Sequence, residues 1–421
     1  MKTSVFYFIA LCCCCSAEFN IFQLAKHAID IGSSITKDVL NNVLTVNDLP
    51  EKIPVPEIIK REGYEVESHF ATTPDGYILN LHRIPHGKQS QGKRKSTPIY
   101  LQHGLLCSSA DWVIFGQKRA LAYILADEGY DVWMGNVRGN TYSRNHTYLL
   151  PEESQFWKFS WNEIGMYDIP TMVDYILKAT EKPQLFHIGH SQGTTSFYVM
   201  TSERPEYNQK IKAHISLAPV AYMENLVSPL VRALAFGRFV FGNKLMIGKS
   251  EFMPSHAFFV LVNNAMCSVG IGAVYCKISI FAISGFSPDQ MDPADTVLIY
   301  AHYPAGASTK QVLHYAQEVE SGHFRKYDFG PIKNRYYYNG SEIPPDYNLS
   351  KISAPIHLIY SSNDWLSSET DVNKLHGELK SVKEKYWVPL PTWNHMDYLF
   401  GKDAPKLVYA KILNILAKYE S

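Results

Sequence analysis

The chain has 421 residues, of which 46% are hydrophobic and 19% are charged. This length can bury a large core and corresponds to about two to three domains' worth of material. Lys plus Arg and Asp plus Glu both number 40, so no net charge favours nucleic acid or an anionic membrane as a partner.

Residues 1–17 are predicted to be a secretory signal peptide. Lys2 gives the segment a basic start, an apolar stretch runs from Val5 to Leu11, and small residues up to Ala17 form a cleavage site. The apolar stretch is too short to span a bilayer. Residues 18–60 look helical and partly amphipathic, and they are interpreted as a propeptide, an N-terminal arm, or both.

Secretion changes how the cysteines and the glycosylation sequons are interpreted. Four of the 7 cysteines lie in the signal peptide, so three remain, and an odd count in an oxidising compartment indicates one bridge and one free thiol. Cys267 and Cys276 are close in sequence and form the predicted pair, which leaves Cys107. Three N-x-S/T sequons support secretion and begin at Asn145, Asn339 and Asn348.

Strands and helices alternate along the first part of the chain. Two strands, Tyr64–Phe70 and Tyr77–Ile84, are joined by a hairpin turn at Pro74-Asp75-Gly76. The next strands are predicted at 98–102, 130–134, 184–188 and 211–217, with helices at 117–127 and about 166–180. This alternation is typical of a parallel sheet with helices on both faces.

The alternation breaks between about residues 222 and 345, a segment rich in Phe, Tyr, Gly and Pro. It resumes with a strand at 355–360, a helix near 369–380, a strand at 385–389 and a last helix with an apolar face. Asn263-Asn264 and Lys277 interrupt the apolar stretch 257–283, so no transmembrane segment is predicted. We therefore predict one α/β core, formed by residues 61–221 and 346–421, with a cap and lid inserted at 222–345.

The pentapeptide Gly189-His190-Ser191-Gln192-Gly193 carries the chemistry. It matches G-x-S-x-G, the turn that presents a nucleophilic serine in α/β-hydrolases. A strand is predicted before it, and a helix after it can continue to Arg204-Pro205. The flanking glycines lack a Cβ and leave room for a strained turn that exposes the hydroxyl. The pattern also occurs by chance as a structural turn, but its strand–turn–helix context favours the nucleophile.

A serine nucleophile needs a base, and the base needs a third group to orient it. In the order Ser, acid, His, the candidates are Asp364 and His395, and each follows a predicted strand. Strand C-terminal ends are where an open parallel sheet gathers its ligand site. Asp371 and Asp397 are nearby alternatives for the acid, and Asp397 is interpreted instead as a supporting or helix-capping carboxylate.

Two backbone N–H groups should stabilise the oxyanion of the tetrahedral intermediate. One is expected at Gln192, and the other in the loop after strand 98–102, with Leu105 as the candidate. No metal site is predicted, because His187 and His190 do not converge across a strand and a turn, and the chain has no H-E-x-x-H or paired C-x-x-C. No cofactor is predicted either.

Several motifs together resemble those of the acid lipases, which include gastric lipase, lysosomal acid lipase and insect digestive lipases. The similarity runs from about Tyr64 to the C-terminus. The matching stretches are 102–106, 129–133, 136–141, 189–194, 217–221, 304–306 and 394–397. The resemblance implies an α/β-hydrolase core, a large cap with a movable lid, and hydrolysis of neutral lipid esters.

The resemblance also implies roles for individual residues. It assigns the nucleophile to Ser191, the acid to Asp364, the base to His395, and the oxyanion donors to Leu105 and Gln192, as order and position do. It implies a disulfide between Cys267 and Cys276. Ser284 stands where the vertebrate members commonly have a further cysteine.

The sequence therefore predicts a serine lipase that is secreted into the extracellular space or a digestive lumen, or delivered to the lysosome. Its partner is a lipid ester, an acylglycerol or a sterol ester, at a lipid–water interface. The oligomeric state is not specified by the sequence, and a monomer is compatible with it. Aromatic residues of the insert would cover an apolar acyl pocket, or they form only the core of the cap; they include Phe252, Phe258, Phe259, Phe281 and Phe286.

Two other functions fit parts of this pattern. A carboxylesterase of small soluble esters would share every catalytic residue with a lipase. A non-catalytic lipid-binding protein on a hydrolase scaffold is the alternative from another class, and the intact Ser191, Asp364 and His395 argue against it.

Overall fold

The computed structural model describes residues 53–88, 95, 97–229, 231–233, 235–236, 251–253 and 270–420. The predicted signal peptide, the arm up to residue 52, Cys267, Phe258 and Phe259 lie outside these ranges. The strands are β1 (Glu67–Thr72), β2 (Tyr77–Ile84), β3 (Ile99–Gln102), β4 (Val132–Gly135), β5 (Asn145–His146), β6 (Leu185–His190), β7 (Ile211–Leu217), β8 (Glu251–Phe252), β9 (Ala307–Ser308), β10 (Ile356–Tyr360) and β11 (Val382–Trp387).

Helices connect most of these strands. They are α1 (Val55–Arg61), α2 (Leu121–Asp127), α3 (Trp161–Glu163), α4 (Ile169–Thr180), α5 (Gln192–Glu203), α6 (Gly270–Ser284), α7 (Pro293–His302), α8 (Thr309–Ser321), α9 (Pro331–Tyr337), α10 (Glu369–Glu378), α11 (Asp397–Phe400) and α12 (Ala410–Glu420). Single π-helical turns, Ile164–Asp168 and Pro405–Tyr409, lead into α4 and α12. Among the described residues no helix is long and apolar enough to cross a membrane.

The main sheet has the strand order β1-β2-β4-β3-β6-β7-β10-β11, with β5 paired to β2. From β4 through to β11 all neighbouring strands are parallel, whereas β2 is antiparallel to β1, β4 and β5. The predicted mostly parallel sheet is confirmed. Its parallel strands bring the loops after β3, β6, β10 and β11 to one edge.

Side chains of the central strands point alternately into two cores, because successive residues of a strand face opposite sides. In β3, Ile99 and Leu101 join one buried cluster and Tyr100 joins the other. Helix α12 covers the first cluster through Ile412, Ile415 and Leu416, and Val408 in the π-helical turn before it packs there too, which confirms the apolar face predicted for the last helix. The sheet is thus covered on both faces.

The hairpin at the start of the sheet differs from its prediction in its first strand. Strand β2 has the predicted bounds, and Gly76 in the turn has a φ of 98°, which glycine adopts without strain. Strand β1, however, runs over Glu67–Thr72 and not over Tyr64–Phe70. Tyr64 lies outside the ladder because its ring packs on Tyr123, 4.7 Å between centroids, and its hydroxyl donates to Asp127.

The predicted start of the last strand, residue 385, lies three residues after the observed start at Val382. Strand β11 pairs with β10 from Val382 to Trp387, not over 385–389. It lies at the edge of the sheet, and its central residues Lys383 to Lys385 are polar and at most half-buried. An edge strand does not need a continuous apolar run, so the apolar pattern was a poor guide to its bounds.

Between β7 and β10 the described residues add no strand to the main sheet. Strands β8 and β9 form a separate two-stranded sheet, and α6 to α9 lie in this part of the chain. The cap limits at 222 and 345 stay a prediction.

Candidate active site

Ser191 lies in the turn between β6 and α5. Its φ of 51° and ψ of −120° are unusual for a residue with a side chain, and such strain is typical of functional sites. The turn is held by hydrogen bonds: the Ser191 N–H donates to the Leu217 carbonyl (3.0 Å), and the Ser191 carbonyl accepts the Thr194 N–H (2.8 Å). The strand–turn–helix context predicted for this serine is present.

The glycines on either side of Ser191 are required by close backbone contacts. A Cβ on Gly193 would lie 2.3 Å from the carbonyl oxygen of Gln102 in β3. A Cβ on Gly189 would lie 2.8 Å from the carbonyl carbon of Gly193. Helix α5 can therefore start directly beneath the turn only because both positions lack a side chain.

Asp364 and His395 meet at the same edge of the sheet. Nδ1 of His395 is 2.9 Å from both carboxylate oxygens of Asp364, and each residue is only 2% exposed. The Asp364 Oδ1 also accepts the N–H groups of Leu366 (3.0 Å) and Ser367 (2.8 Å). The carboxylate is thus an acceptor for Nδ1–H, which leaves Nε2 of His395 as the basic nitrogen.

His190 connects the serine turn with the histidine loop, a role that the sequence did not indicate. Its Nε2–H donates to the backbone carbonyl of His395 (2.9 Å), and the two rings are 4.9 Å apart. Burial and the neighbouring His395 hold the pKa of His190 well below its ordinary value. His190 is therefore neutral, and its hydrogen bond joins the serine turn to the loop of His395.

The predicted oxyanion loop lies beside Ser191. A Cβ on Gly104 would be 3.2 Å from the Ser191 Cβ. His103 holds this loop: its Nδ1–H donates to the Gly104 carbonyl (2.8 Å), and its Nε2 accepts from the amide of Asn140 (3.1 Å). Burial lowers the pKa of His103 to about 4, so the imidazole remains a neutral acceptor.

The two candidate oxyanion donors belong to these adjoining segments. Neither the N–H of Leu105 nor that of Gln192 has an acceptor among the residues the structure describes. The Gln192 side chain donates to Oε1 of Gln311 in α8 (3.3 Å), which holds the start of α5 against the segment predicted to be the cap. Both N–H groups are thus available for an oxyanion.

The two alternative acids have other partners. Asp371 accepts the Asn225 N–H (3.0 Å) and the hydroxyl of Ser368 (2.9 Å). Asp397 is fully buried and accepts the Asn394 N–H (2.8 Å). Burial raises the pKa of Asp397 to about 7, with a smaller contribution from the negative charge of Asp364. Asp397 therefore supports the histidine loop, whereas Asp364 contacts the histidine.

The predicted cysteines, His187 and the sequon asparagines lie outside the contacts described so far. Cys276 in α6 is disulfide-bonded, but its predicted partner Cys267 is not among the described residues, so the pairing stays a prediction. Cys107 is a free, buried thiol. Nδ1 of His187 is 2.9 Å from Nδ1 of His214, so this ring is engaged away from His190. The three sequon asparagines, Asn145, Asn339 and Asn348, are exposed.

Comparisons with known proteins agree with this fold. A family model described as the α/β-hydrolase fold matches residues 97–239, and one described as a partial α/β-hydrolase lipase region matches residues 55–116. Fold and site thus define an α/β-hydrolase.

Relatives with similar sequences identify the family within the α/β-hydrolases. Lipase 3 of Drosophila melanogaster is 47% identical over 370 residues, which are 86% of this chain and 93% of the relative. Human lysosomal acid lipase/cholesteryl ester hydrolase is 35% identical over 378 residues, which are 90% of this chain and 94% of the relative. Gastric triacylglycerol lipase of Bos taurus is 37% identical over 366 residues, which are 86% of this chain and 91% of the relative. The chain belongs to the acid lipase family and is a carboxylic ester hydrolase.

Proposed function

We propose that this lipase hydrolyses neutral lipid esters, triacylglycerols and/or sterol esters, through an acyl-enzyme on Ser191. The buried contact between His395 and Asp364, at the same edge of the sheet as the strained serine turn, is the observation that carries the proposal. The substrate class is supported by relatives named for triacylglycerol and cholesteryl ester hydrolysis.

In the acylation half, the Ser191 Oγ attacks the ester carbonyl carbon while Nε2 of His395 takes the hydroxyl proton. The carbonyl oxygen becomes an oxyanion and accepts hydrogen bonds from the N–H groups of Leu105 and Gln192. The C–O bond to the leaving alcohol then breaks, and the His395 imidazolium returns the proton to that alkoxide. Asp364 stabilises the imidazolium and fixes the tautomer before it forms.

Deacylation repeats these steps with water. His395 takes a proton from the water, whose oxygen attacks the acyl carbonyl, and a second oxyanion forms at the same two donors. When it collapses, the bond to Ser191 breaks and the serine recovers its proton from His395. The products are a fatty acid and an alcohol, and no cofactor takes part.

We place the enzyme in a secretory compartment, outside the cell or in the lysosome. The disulfide at Cys276 supports this placement, because disulfides persist in oxidising compartments. The exposed sequon asparagines support it too, since an oligosaccharide can be attached only to an accessible side chain.

The test is a Ser191→Ala variant assayed on emulsified long-chain triglyceride, cholesteryl oleate and soluble p-nitrophenyl butyrate, at acidic and neutral pH. We expect activity on all three esters to fall at least about 10⁴-fold. Ser196→Ala is the matched control, because Ser196 is buried in the same helix and its hydroxyl has no hydrogen-bond partner among the described residues. This control should keep wild-type activity.

Two results would count against the proposal. Wild-type activity in Ser191→Ala would show that Ser191 is not the nucleophile. Hydrolysis confined to the soluble ester, with no rise in rate when a lipid surface forms, would identify a carboxylesterase instead.

A further inference from the structure

The C-terminal end of α6 presents consecutive carbonyl groups to the loops that carry Asp364 and His395. We call Ser284, Gly285 and Phe286 the clamp. The Ser284 carbonyl accepts two backbone N–H groups, from Trp365 (3.3 Å) and from His395 itself (3.2 Å). One carbonyl thus joins the residue after the proposed acid to the proposed base.

Two asparagine side chains extend this contact. The Asn363 amide donates to the carbonyls of Phe286 and Thr392, both at 2.8 Å. The Asn394 amide donates to the Gly285 carbonyl (2.9 Å). Asn363 precedes Asp364 and Asn394 precedes His395, so each proposed catalytic residue has a neighbour bonded to the clamp.

Gly285 is required for this approach. Its φ of +111° is a conformation that residues with side chains rarely adopt. A Cβ here would lie 2.1 Å from the Asn363 carbonyl oxygen and 3.2 Å from the Asn394 Cβ. Any side chain at position 285 would push the clamp away from both loops.

We propose that the clamp fixes the Asp364 and His395 loops relative to one another, with Asn363 and Asn394 as positioning residues. The two loops follow different strands, and the clamp belongs to a third segment, so docking of α6 sets the geometry of the acid–base pair. A displacement of about 1 Å in such a pair can cost about 100-fold in rate. The proposal rests on the roles of Asp364 and His395 proposed above.

The test compares two pairs of variants in the full-length protein. Asn363→Asp replaces the NH₂ group, which donates both hydrogen bonds, by an oxygen that repels the two carbonyls, and Asn414→Asp makes the same change at an exposed site on α12. Gly285→Ala brings a Cβ into the Asn363 loop, and Gly330→Ala places a Cβ at a φ of +87° with no atom within 4 Å.

For both clamp variants we expect kcat on p-nitrophenyl butyrate to fall about 10- to 100-fold, with KM within about twofold of wild type. Inactivation by diethyl p-nitrophenyl phosphate should show the same split: the limiting rate falls, and the concentration for half-maximal rate does not. A residue that only stabilised the fold would lower Tm and leave kcat of the folded fraction unchanged.

Wild-type kcat in folded Asn363→Asp would overturn the proposal, as would equal losses in the clamp variants and their controls. If either clamp variant fails to fold, Asn363→Ala decides, and normal kcat in that variant also overturns it. His395→Ala separates this outcome from failure of the proposed function: if it retains activity, the acid–base roles are wrong, whatever the clamp does.

Discussion

The serine turn lies within one strand–turn–helix unit, whereas the loops of the proposed acid and base follow two different strands and are joined through a third segment. Ser191 bonds to Thr194 and to the adjoining strand β7, and its turn needs only the small residues Gly189 and Gly193. By contrast, Asn363 lies 77 residues from its partner Phe286, and Asn394 lies 109 residues from Gly285. The proposed nucleophile therefore lies in one strand–turn–helix unit that packs on β3 and β7, and the proposed acid–base pair is assembled from three separate segments.

This difference indicates where each half of the site is vulnerable. The serine turn should fail when its close backbone packing is disturbed. At the proposed acid–base pair, activity should fall when a hydrogen-bond donor or acceptor of its loops is changed, even if every backbone contact is kept. The following three changes test this distinction, starting with the largest effect on activity.

Asp364→Asn should lower kcat about 10³- to 10⁴-fold with little change in fold. The Leu366 and Ser367 N–H groups keep Oδ1 as an acceptor, so the new amide NH₂ takes the place of Oδ2, which is 2.9 Å from Nδ1 of His395. Nδ1 must then accept, the proton moves to Nε2, and His395 can no longer take the proton of Ser191. Steady-state kinetics on a soluble ester measure the effect.

The exposed Asp289→Asn is the control for this change and should keep kcat within about twofold of wild type. A loss of less than tenfold in Asp364→Asn would mean that another group orients His395.

Gly193→Ala tests the backbone packing of the serine turn. It should lower kcat about 100-fold, because β3 must shift to admit a Cβ 2.3 Å from the Gln102 carbonyl oxygen. The shift also moves His103 and Leu105 in the oxyanion loop, so Tm should fall as well. Gly377→Ala, where a Cβ in α10 meets no atom within 4 Å, should leave kcat unchanged and stabilise the fold by about 0.5 kcal/mol. Equal behaviour of the two variants would contradict the packing argument.

Asp397→Asn should have the smallest effect and a characteristic pH dependence. Burial raises the pKa of Asp397 to about 7 in the fold, above about 3.9 in the unfolded chain. The folded wild type therefore binds an extra proton between these values, and this contribution to stability is complete below about pH 4 and lost as pH rises through 7. The asparagine keeps an acceptor for the Asn394 N–H without the charge.

The Tm of Asp397→Asn should thus match wild type near pH 4 and exceed it by about 2–4 °C at pH 8. Thermal unfolding followed by circular dichroism across this range measures the difference. A Tm difference that does not change with pH would show that the Asp397 charge is not disfavoured in the fold.

Much of the core could be predicted because its signals are local. Strands β2 and β7 have the predicted bounds, and α5 ends at Glu203, before Arg204-Pro205. A buried strand needs an apolar run, and a helix ends where proline follows, so both leave a pattern in neighbouring residues. The predicted bounds of β1 and β11 were wrong. Strand β1 starts later because Tyr64 packs elsewhere, and β11 is an edge strand, which tolerates polar residues.

Sequence by itself determined the order of strands and helices, the serine turn, and the candidates Asp364 and His395, since each depends on residue types at short spacing or on chain order. Only the tertiary structure showed His190 on the His395 carbonyl, the hydrogen bonds of His103 within the predicted oxyanion loop and to Asn140, and the clamp at the end of α6. The contacts of His190 and of the clamp join backbone carbonyls to partners far along the chain, and the His103 ring also accepts from Asn140, 37 residues away. Every residue has a carbonyl, so no residue type marks the ones that are used.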